Sequence, residues 1–567
     1  MYPHRTFHFL EPFKGKLFHG DIPTLAEIFQ VAAARYPDKK CLTTYNPDIF
    51  VLTFREAREK IMRLAASLVA SGVKPGDRVI LTGKNRPEWA VAYYAIATAG
   101  AVIVPLDYTL HEDELKNLID FSEPVAALVD KEKYDKAKDM MPAGAPYYSL
   151  DPDKENYVLS LEDAPLEKPG HREVSDLVAI LYTSGTTGIP KGVMLSNSNI
   201  VNDCFLAQMN MQIYHTDVFY ALLPVHHAYT MLSVLVVGIA QSAEVVFAKR
   251  LVVKELLKDL KDGKITIFLG VPMLFNKLIT NIMKGVREKG VVVYSIVRFL
   301  MVISGLLKKC GIKIGKKLFG KMILDKANLS SVRICISGGG PLPPSTFRMF
   351  NQLGLDFVQG YGLTETSPIV TLNPIYHFKV KSVGLVLPEI QVKIINPDKE
   401  GRGEIALKGP TVMQGYYKNP SATDAVMDLN GYFYTGDMGY LDKENFLYLT
   451  GRKKNIIVTS GGKNVFPEEI EDRFQLYPEI EQILVRGYYI DGKKKEAAGE
   501  MIEALIYPSE ELRNTGDPDG IQKKLEEIVN NVNRQLSSYM KIARVRVVDQ
   551  PFEESSTKKI KRYKVKA

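Results

Sequence analysis

The segment YTSGTTGIPKG, residues 182–192, combines the backbone freedom of glycine with several hydroxyl groups and one lysine. Glycines allow successive N–H groups to converge on an anion, and hydroxyl side chains add further donors. A lysine adds a mobile positive charge that suits a phosphate tail. The segment differs from the Walker loop because Lys191 is followed by glycine rather than by a hydroxyl residue. We therefore predict a phosphate-binding loop, rather than a solvated turn, built from Thr183, Ser184, Gly185, Thr186, Thr187, Gly188 and Lys191.

Seven further motifs follow this loop in order along almost the whole chain. They are LLPVHHAY, SGGGPLP, QGYGLTE, GEIALKGPTVMQGYYKNP, GYFYTGD, GRKKNIIVTSGGKNVFPEEIE and STKKIKR. With the loop, this ordered set resembles the adenylate-forming (AMP-binding) enzyme superfamily, most of all the long-chain fatty acyl-CoA synthetases.

The resemblance implies a two-step ligase. A fatty acid would be activated by ATP as an acyl-adenylate and then transferred to a phosphopantetheine thiol, which yields acyl-CoA, AMP and pyrophosphate. ATP, Mg²⁺ and coenzyme A are the implied cofactors and co-substrates. Acyl carrier protein as the acceptor, an aryl or other acid as the substrate, and a non-catalytic membrane-binding relative remain alternatives, the last disfavoured by the intact Lys191, Glu365, Asp437 and Lys559.

The same resemblance assigns the catalytic groups. Lys559 would be the catalytic cation of the C-terminal motif, where Lys558 replaces the family's usual glycine. Lys191 would neutralise phosphate charge and Thr364 would donate to the α-phosphate. Glu365 would hold Mg²⁺, a hard cation that prefers oxygen ligands. Read alone, LTE would be an ordinary helix start.

Nucleotide contacts are implied at four motifs. A flat ring at Tyr361 could stack on adenine, and Asp437, an acceptor when ionised, could bind two ribose hydroxyls. Arg452 would be a complementary donor. SGGGPLP offers bare backbone for close approach, although a tight turn would look the same. The remaining implied contacts are Gly338, Gly339, Gly340 and Gly362.

The resemblance also implies a hinge at Lys454, a thiol path along Ser460, Gly461 and Gly462, and an acyl-pocket residue at His227. Relatives that activate amino acids carry an aspartate where this chain has His226 and His227, which disfavours an amino acid substrate.

Positioning these residues requires alternating strands and helices. Apolar runs that begin at Asp77, Ala101, Val178, Ile265 and Val332 end in polar or glycine-rich turns, and helical stretches such as PEWAVAYYAIATAG lie between them. This alternation predicts an α/β fold with largely parallel sheets and sites at strand ends. We predict a large N-terminal body of layered sheets and helices over residues 1–453 and a smaller mobile C-terminal α+β domain over 454–567.

Composition is that of a soluble globular protein, with 46% hydrophobic and 24% charged residues. Four cysteines without C-x-x-C spacing predict neither a disulfide framework nor a metal cluster, and they suit a reducing cytoplasm. The N-terminus lacks the pattern of a signal peptide. We expect a cytoplasmic protein with no nucleic-acid partner.

The net charge of +8 is concentrated in residues 284–326, where eleven Lys and Arg accompany Glu288 and Asp325. Within this segment lies the apolar run of residues 291–307, which Arg298 interrupts and which is short for a transmembrane helix. One interpretation is a buried helix. The other is peripheral binding to the anionic inner face of a membrane through Lys308, Lys309, Lys313, Lys316 and Lys317.

Overall fold

The architecture below is that of a computed structural model, which describes residues 4–183, 191–249, 252–459, 462–489, 499–554 and 560–565. Its strands are β1 (Lys40–Thr44), β2 (Phe50–Thr53), β3 (Arg78–Thr82), β4 (Val102–Leu106), β5 (Ala126–Val129), β6 (Tyr147–Ser149), β7 (Leu177–Thr183), β8 (Lys191–Ser196), β9 (Val218–Ala221), β10 (Glu244–Phe247), β11 (Ile267–Gly270), β12 (Ile334–Ser337), β13 (Asp356–Gly362), β14 (Ile369–Leu372), β15 (Gly384–Val386), β16 (Gln391–Ile395), β17 (Gly403–Lys408), β18 (Gly415–Tyr416), β19 (Phe433–Leu441), β20 (Phe446–Arg452), β21 (Ile457–Val458), β22 (Asn464–Val465), β23 (Ile480–Tyr488), β24 (Met501–Pro508) and β25 (Arg544–Val547).

Helices cover the faces of these strands and connect them. They are α1 (Leu25–Arg35), α2 (Phe54–Ala70), α3 (Pro87–Thr98), α4 (Glu112–Ser122), α5 (Lys131–Met140), α6 (Asn197–Leu206), α7 (Ala228–Thr230), α8 (Val237–Ala240), α9 (Val253–Asp262), α10 (Pro272–Arg287), α11 (Val291–Lys309), α12 (Gly315–Phe319), α13 (Pro344–Gln352), α14 (Pro420–Asp424), α15 (Pro467–Glu471), α16 (Glu510–Arg513) and α17 (Pro518–Asn533).

Two large sheets form the body. Within the described residues, the larger has the order β16-β17-β19-β20-β15-β14-β13-β12-β11-β9-β10-β1-β2. The six neighbouring strands from β13 to β1 in this order run parallel to one another. The smaller has the order β18-β8-β7-β4-β3-β5-β6, with parallel pairing from β7 to β6. Carboxyl ends of parallel strands share an edge, and the segments that follow β9, β12 and β13 carry His227, Gly338 and Glu365 of the predicted site.

The strands predicted from the apolar runs are confirmed as β3, β4, β7, β11 and β12. Every residue of β4 is buried, which explains its continuous apolar sequence, because a parallel strand is covered on both faces. The predicted helix α3 begins with proline at its first turn and is buried along its whole length. It contacts β3 and β4 of one sheet and β1 of the other, so it forms the layer between the sheets.

The described residues from Ile457 onward form a separate smaller unit. Its three-stranded sheet β23-β24-β25 packs with α15 and α17 around a core that includes Val485, Ile506 and Leu525. The large α/β body and the smaller C-terminal α+β unit agree with the predicted fold class, whereas the boundary at Lys454 stays a prediction. All four cysteines are free thiols, and three of them are buried.

Helix α11 lies on the surface of the body. Its inward residues, which contact α10 and α13, are Val297, Met301, Ser304 and Lys308. The rest of the helix is exposed or half-exposed, so the interpretation as a buried core helix is wrong. The helix is longer than the apolar run of residues 291–307, because Lys308 and Lys309 form its last turn.

Candidate active site

The Asp437 carboxylate is held by two side chains. Asp437 on β19 and Arg452 on β20 are cross-strand partners, and Arg452 Nε lies 2.6 Å from Asp437 Oδ1. Tyr361, near the end of β13, donates a hydrogen bond from its hydroxyl to Asp437 Oδ2 at 2.6 Å. Burial raises the pKa of Tyr361, and the Asp437 charge raises it further, so the phenol remains a donor. The structure thus brings Asp437 together with Tyr361, 76 positions earlier in the sequence, and with Arg452, 15 positions later.

The backbone between β13 and β14 requires glycine at residue 362. A Cβ atom at Gly362 would lie 1.8 Å from the carbonyl oxygen of Pro368, because the returning chain crosses directly above it. The Leu363 N–H donates to the same oxygen at 2.9 Å. This turn places Thr364 and Glu365 in a short 3-10 helix, residues Thr364–Thr366.

Glu365 contacts an element of the other sheet. Tyr416 on β18 donates from its hydroxyl to Glu365 Oε1 at 3.0 Å, and its pKa is raised by burial and by the Glu365 charge. The Lys191 ammonium group lies 4.6 Å from the centre of the Tyr416 ring. Lys191 opens β8 and is the register partner of Thr183 at the end of β7. A cation, a phenol and a carboxylate therefore lie together where β8 and β18 of the smaller sheet approach the turn after β13 of the larger sheet.

The three glycines after β12 lie beside an aromatic ring, with Gly338 buried, Gly339 exposed and Gly340 half-buried. A Cβ atom at Gly338 would lie 2.9 Å from Cζ of Tyr229, whose hydroxyl donates to the Ile336 carbonyl oxygen at 3.2 Å. Gly339 has a φ of +79°, which favours glycine, while Gly340 has room for a methyl group. Tyr229 thus packs against the glycine backbone.

His227 precedes α7 and lies beside two other polar groups. The rings of His226 and His227 are 4.2 Å apart, and His226 Nε2 lies 3.5 Å from Asp107 Oδ2. Asp107 follows β4 and accepts from the backbone and hydroxyl of Thr109 at 2.8 and 2.7 Å. Burial alone would raise the pKa of Asp107, but His226 and Thr109 outweigh this effect and lower it. His226 is buried, while His227 is half-buried.

The predicted hinge residue has a different anchor on each side. Lys454 is exposed in the 3-10 segment Lys453–Asn455. Lys453 pairs with Glu404 of β17 at 2.6 Å, whereas Asn455 donates to Glu468 of α15 at 2.5 Å. One neighbour is thus fixed to the body and the other to the small unit. Partial desolvation of its ammonium group and the charges of Arg452 and Arg562 lower the pKa of Lys454.

Gly462 follows this region as an exposed residue with a φ of +67°. The other predicted site residues lie outside the described residues. They are Ser184, Gly185, Thr186, Thr187 and Gly188 of the phosphate loop, Ser460 and Gly461 of the thiol path, and Lys559.

Three residues at the site are absent from the sequence-based prediction, and His226 is considered there only as a difference from relatives that activate amino acids. Tyr416 lies within the motif GEIALKGPTVMQGYYKNP, whose tyrosines could have been considered as carboxylate partners. Tyr229 and His226 both lie within LLPVHHAY. Asp107 ends the apolar run AVIVPLD, and a polar residue at the end of such a run is the same feature that predicted the other sites at strand ends.

The sequences of relatives named for an activity align with this chain over most of its length. It is 29% identical to a long-chain-fatty-acid–CoA ligase of Bacillus subtilis (strain 168) over 530 residues, 85% of each chain. It is 28% identical to a feruloyl-CoA synthase of Amycolatopsis sp over 477 residues, which are 82% of this chain and 85% of that one.

The fold has close counterparts among solved structures. ATP-bound MatB from Rhodopseudomonas palustris superposes with a TM-score of 0.74 at 24% identity, covering 95% of this chain and 97% of that chain. The family model of the AMP-binding enzymes matches residues 29–417, and that of the AMP-binding enzyme C-terminal domain matches residues 454–567. Since the first match alone spans more than half of the sequence, this chain belongs to the AMP-binding, adenylate-forming enzyme family, and it most resembles the long-chain fatty acid–CoA ligases within it.

Proposed function

We propose that this enzyme activates a long-chain fatty acid with ATP and transfers the acyl group to the thiol of coenzyme A. One observation carries the proposal. Tyr361, which contacts the Asp437 carboxylate, and Glu365, which contacts Tyr416 beside Lys191, are four residues apart on one turn. Asp437, which can accept hydrogen bonds from ribose hydroxyls, and Lys191, which suits phosphate charge, are therefore both linked to this turn, as the binding of a nucleoside triphosphate requires.

In the first half-reaction a carboxylate oxygen attacks the α-phosphorus of ATP, and pyrophosphate leaves with the electrons of the broken bond. No covalent nucleophile of the protein is needed, so the task is positioning and charge neutralisation. Asp437 accepts from the ribose hydroxyls in an orientation fixed by Tyr361 and Arg452. Thr364 donates to the α-phosphate, and Lys191 neutralises charge on the leaving phosphates. Backbone groups of the phosphate loop, residues 183–188, donate to the same phosphates.

The residues present suit a Mg²⁺ ion. Glu365 is a half-buried carboxylate whose one oxygen is oriented by Tyr416, and Mg²⁺ is commonly held by one or two carboxylates together with substrate phosphates. When bound, Mg²⁺ would supply charge neutralisation at the phosphates. The phenol of Tyr416 holds one oxygen of Glu365, and the Lys191 ammonium group lies over the ring of the same tyrosine.

The second half-reaction requires a change of domain orientation. Lys559 would bridge the acid and the adenylate oxygens in the first step. Rotation about Lys454 would then withdraw it and bring Ser460, Gly461 and Gly462 towards the entering thiol. The anchors of Lys453 and Asn455 on different units support this position for the rotation. The thiolate attacks the acyl carbon, and AMP leaves.

The acyl group is assigned from two observations. The Bacillus subtilis relative is named for long-chain fatty acids. The segment from about Ile279 to Lys326, with its apolar middle, resembles an insertion of the long-chain acyl-CoA synthetases that the shorter aryl-activating relatives lack. The feruloyl-CoA synthase is nearly as similar, so an aryl acid is the second candidate. His226, His227 and Asp107 provide no lone carboxylate for a substrate amine, because Asp107 already contacts His226 and Thr109.

The test is a pyrophosphate-release screen with fatty acids of increasing chain length and with aryl acids, each with coenzyme A and with holo acyl carrier protein. We expect AMP, pyrophosphate and a thioester, with the highest kcat/KM for a long-chain acid and coenzyme A. ADP and phosphate as products would contradict the reaction type. A preference for an aryl acid would contradict the substrate alone, and faster turnover with the carrier protein would contradict the acceptor alone.

A further inference from the structure

Helix α11 presents an apolar stripe to the surroundings. The exposed fractions of Phe299 and Leu306 are 66% and 59%, and Val292, Ile296 and Val302 complete the stripe at helical spacing. Ile312, Leu318 and Met322 extend the exposed apolar surface beyond the helix. Contiguous apolar surface on a soluble protein marks an interaction site. We call this surface, residues 291–322, the α11 face.

Basic side chains surround the α11 face at both ends. Seven of them are exposed and have no carboxylate within 4 Å among the residues that the structure describes. They are Lys284, Arg287, Lys289, Lys309, Lys317, Lys321 and Lys326. Lys326 lies beside Lys289 and lowers its pKa, so like charges are concentrated where the segment leaves and re-enters the body. The face therefore needs an occupant that is apolar in its centre and anionic at its margin.

Three lysines predicted to face a membrane have structural roles instead. Lys308 is buried, lies 2.8 Å from Asp356 and donates to Asn351 and to the Leu355 carbonyl oxygen. Lys313 pairs with the same Asp356 at 2.8 Å, and Lys316 donates to the Ser330 carbonyl oxygen. These contacts fix the segment to the body, so the α11 face is present before any partner binds.

A membrane-spanning role does not suit this helix. By length and hydropathy α11 is the one helix in the described chain that could cross a bilayer. However, its inner residues pack on α10 and α13, and Lys308 attaches its last turn to β13 through Asp356. A helix held along one side by its own domain can enter a bilayer only from the opposite side. Its orientation is then parallel to the membrane plane.

We propose that the α11 face docks on an anionic lipid bilayer, with Phe299 and Leu306 in the acyl-chain boundary and the seven basic side chains at the headgroups. Charge complementarity favours this occupant over a second copy of the chain. A two-fold contact through this face would bring two strongly basic segments together, and like-charge contacts disfavour association. The proposal is independent of which acid the enzyme activates.

The first test measures co-sedimentation of the full-length protein with phosphatidylglycerol-containing vesicles and with pure phosphatidylcholine vesicles at low and high salt. We expect binding to the anionic vesicles that weakens with salt. In the variant with Lys309, Lys317 and Lys321 changed to Gln, the partition coefficient should fall by about 100-fold. The matched control changes Lys399, Lys443 and Lys523 to Gln, which removes the same charge from exposed positions elsewhere and should retain binding.

The second test reports on the apolar stripe. The chain has one tryptophan, Trp89, which is fully buried and gives a constant background. In the variant Phe299→Trp, addition of anionic vesicles should shift the emission to the blue, and lipids with a quencher near the headgroup should quench it more than lipids with a quencher at the bilayer centre. Turnover of a soluble short acid confirms that each variant is folded.

Three results would overturn the proposal. They are equal partition of the parent into neutral and anionic vesicles, equal binding of the parent and the triple lysine variant at low salt, and an unchanged emission of the Phe299→Trp variant with vesicles. A concentration-dependent dimer in sedimentation velocity that Phe299→Gln abolishes, without vesicle binding of the parent, would assign the face to a second copy instead.

Discussion

Tyr361 and Asp437 are joined by a 2.6 Å hydrogen bond that links the last parallel strand of the larger sheet, β13, to its antiparallel extension, β19. The two residues come from separate motifs and together define the orientation of one carboxylate. If Asp437 binds the ribose, as we propose, its orientation depends on the Tyr361 hydroxyl.

Removing that hydroxyl should weaken ATP binding. In Tyr361→Phe the aromatic ring stays, but Asp437 loses a donor, and a hydrogen bond to a charged group contributes more than a neutral one. We expect kcat/KM for ATP to fall by about 10- to 100-fold. Tyr448→Phe is the control, since Tyr448 donates to Asp442 at 3.1 Å in the same sheet, away from the site. Equal losses in both variants would assign the effect to sheet stability.

Tyr416 should control the response to Mg²⁺. Its hydroxyl orients Glu365, and outer partners of metal ligands strongly affect affinity. For Tyr416→Phe we expect the Mg²⁺ concentration at half-maximal pyrophosphate release to rise by about 10-fold. Tyr432→Phe, which loses a hydrogen bond to Gln391 instead, should leave this concentration unchanged. A lower maximal rate with an unaltered Mg²⁺ response would argue against Glu365 as a ligand.

The glycine backbone beside Tyr229 should tolerate a methyl group at one position and reject it at another. Gly338→Ala must displace the Tyr229 ring, because the new Cβ would lie 2.9 Å from it, whereas the nearest atom to a Cβ at Gly340 is 3.6 Å away. We expect KM for the acid to rise by about 10-fold in Gly338→Ala and by much less in Gly340→Ala. Similar KM values in the two variants would separate Tyr229 from the acyl pocket.

Backbone freedom at Lys454 should matter more than its charge. Proline at this position fixes φ, so Lys454→Pro should slow overall turnover while preserving one half-reaction, measured separately as pyrophosphate release and as thioester formation from supplied acyl-adenylate. Lys454→Ala removes the charge and leaves the backbone free, and it should retain both half-reactions. A parallel fall of both half-reactions in Lys454→Pro would place the rotation elsewhere.

The sequence contained enough information for the strands and for several site residues, because buried parallel strands are continuous apolar runs and phosphate sites need glycine. It did not reveal that Lys191 lies on a strand opposite Thr183, since hairpin register depends on tertiary pairing. Contacts between distant motifs were also hidden. Tyr416 lies on β18 of the smaller sheet and Glu365 follows β13 of the larger one, so their contact depends on how the two sheets pack together.

For the segment at residues 284–326 the sequence was ambiguous for a different physical reason. Composition distinguishes lysine from leucine, but it does not distinguish a lysine that faces solvent from one whose stem crosses a helix interface. Lys308 and Lys309 are neighbours in sequence, yet one is buried against Asp356 and the other is exposed. Only the rotation of α11 about its axis separates their roles, and the packing of α11 on α10 and α13 fixes that rotation.

The buried contact of Lys308 has a thermodynamic consequence for membrane association. A peptide that becomes helical on a lipid surface loses conformational entropy at the moment of binding, and its far-ultraviolet circular dichroism changes. Because α11 is already folded against the body, this loss has occurred during folding of the domain. Association should therefore proceed with no gain of helix signal, and its rate should follow electrostatic encounter rather than a folding step.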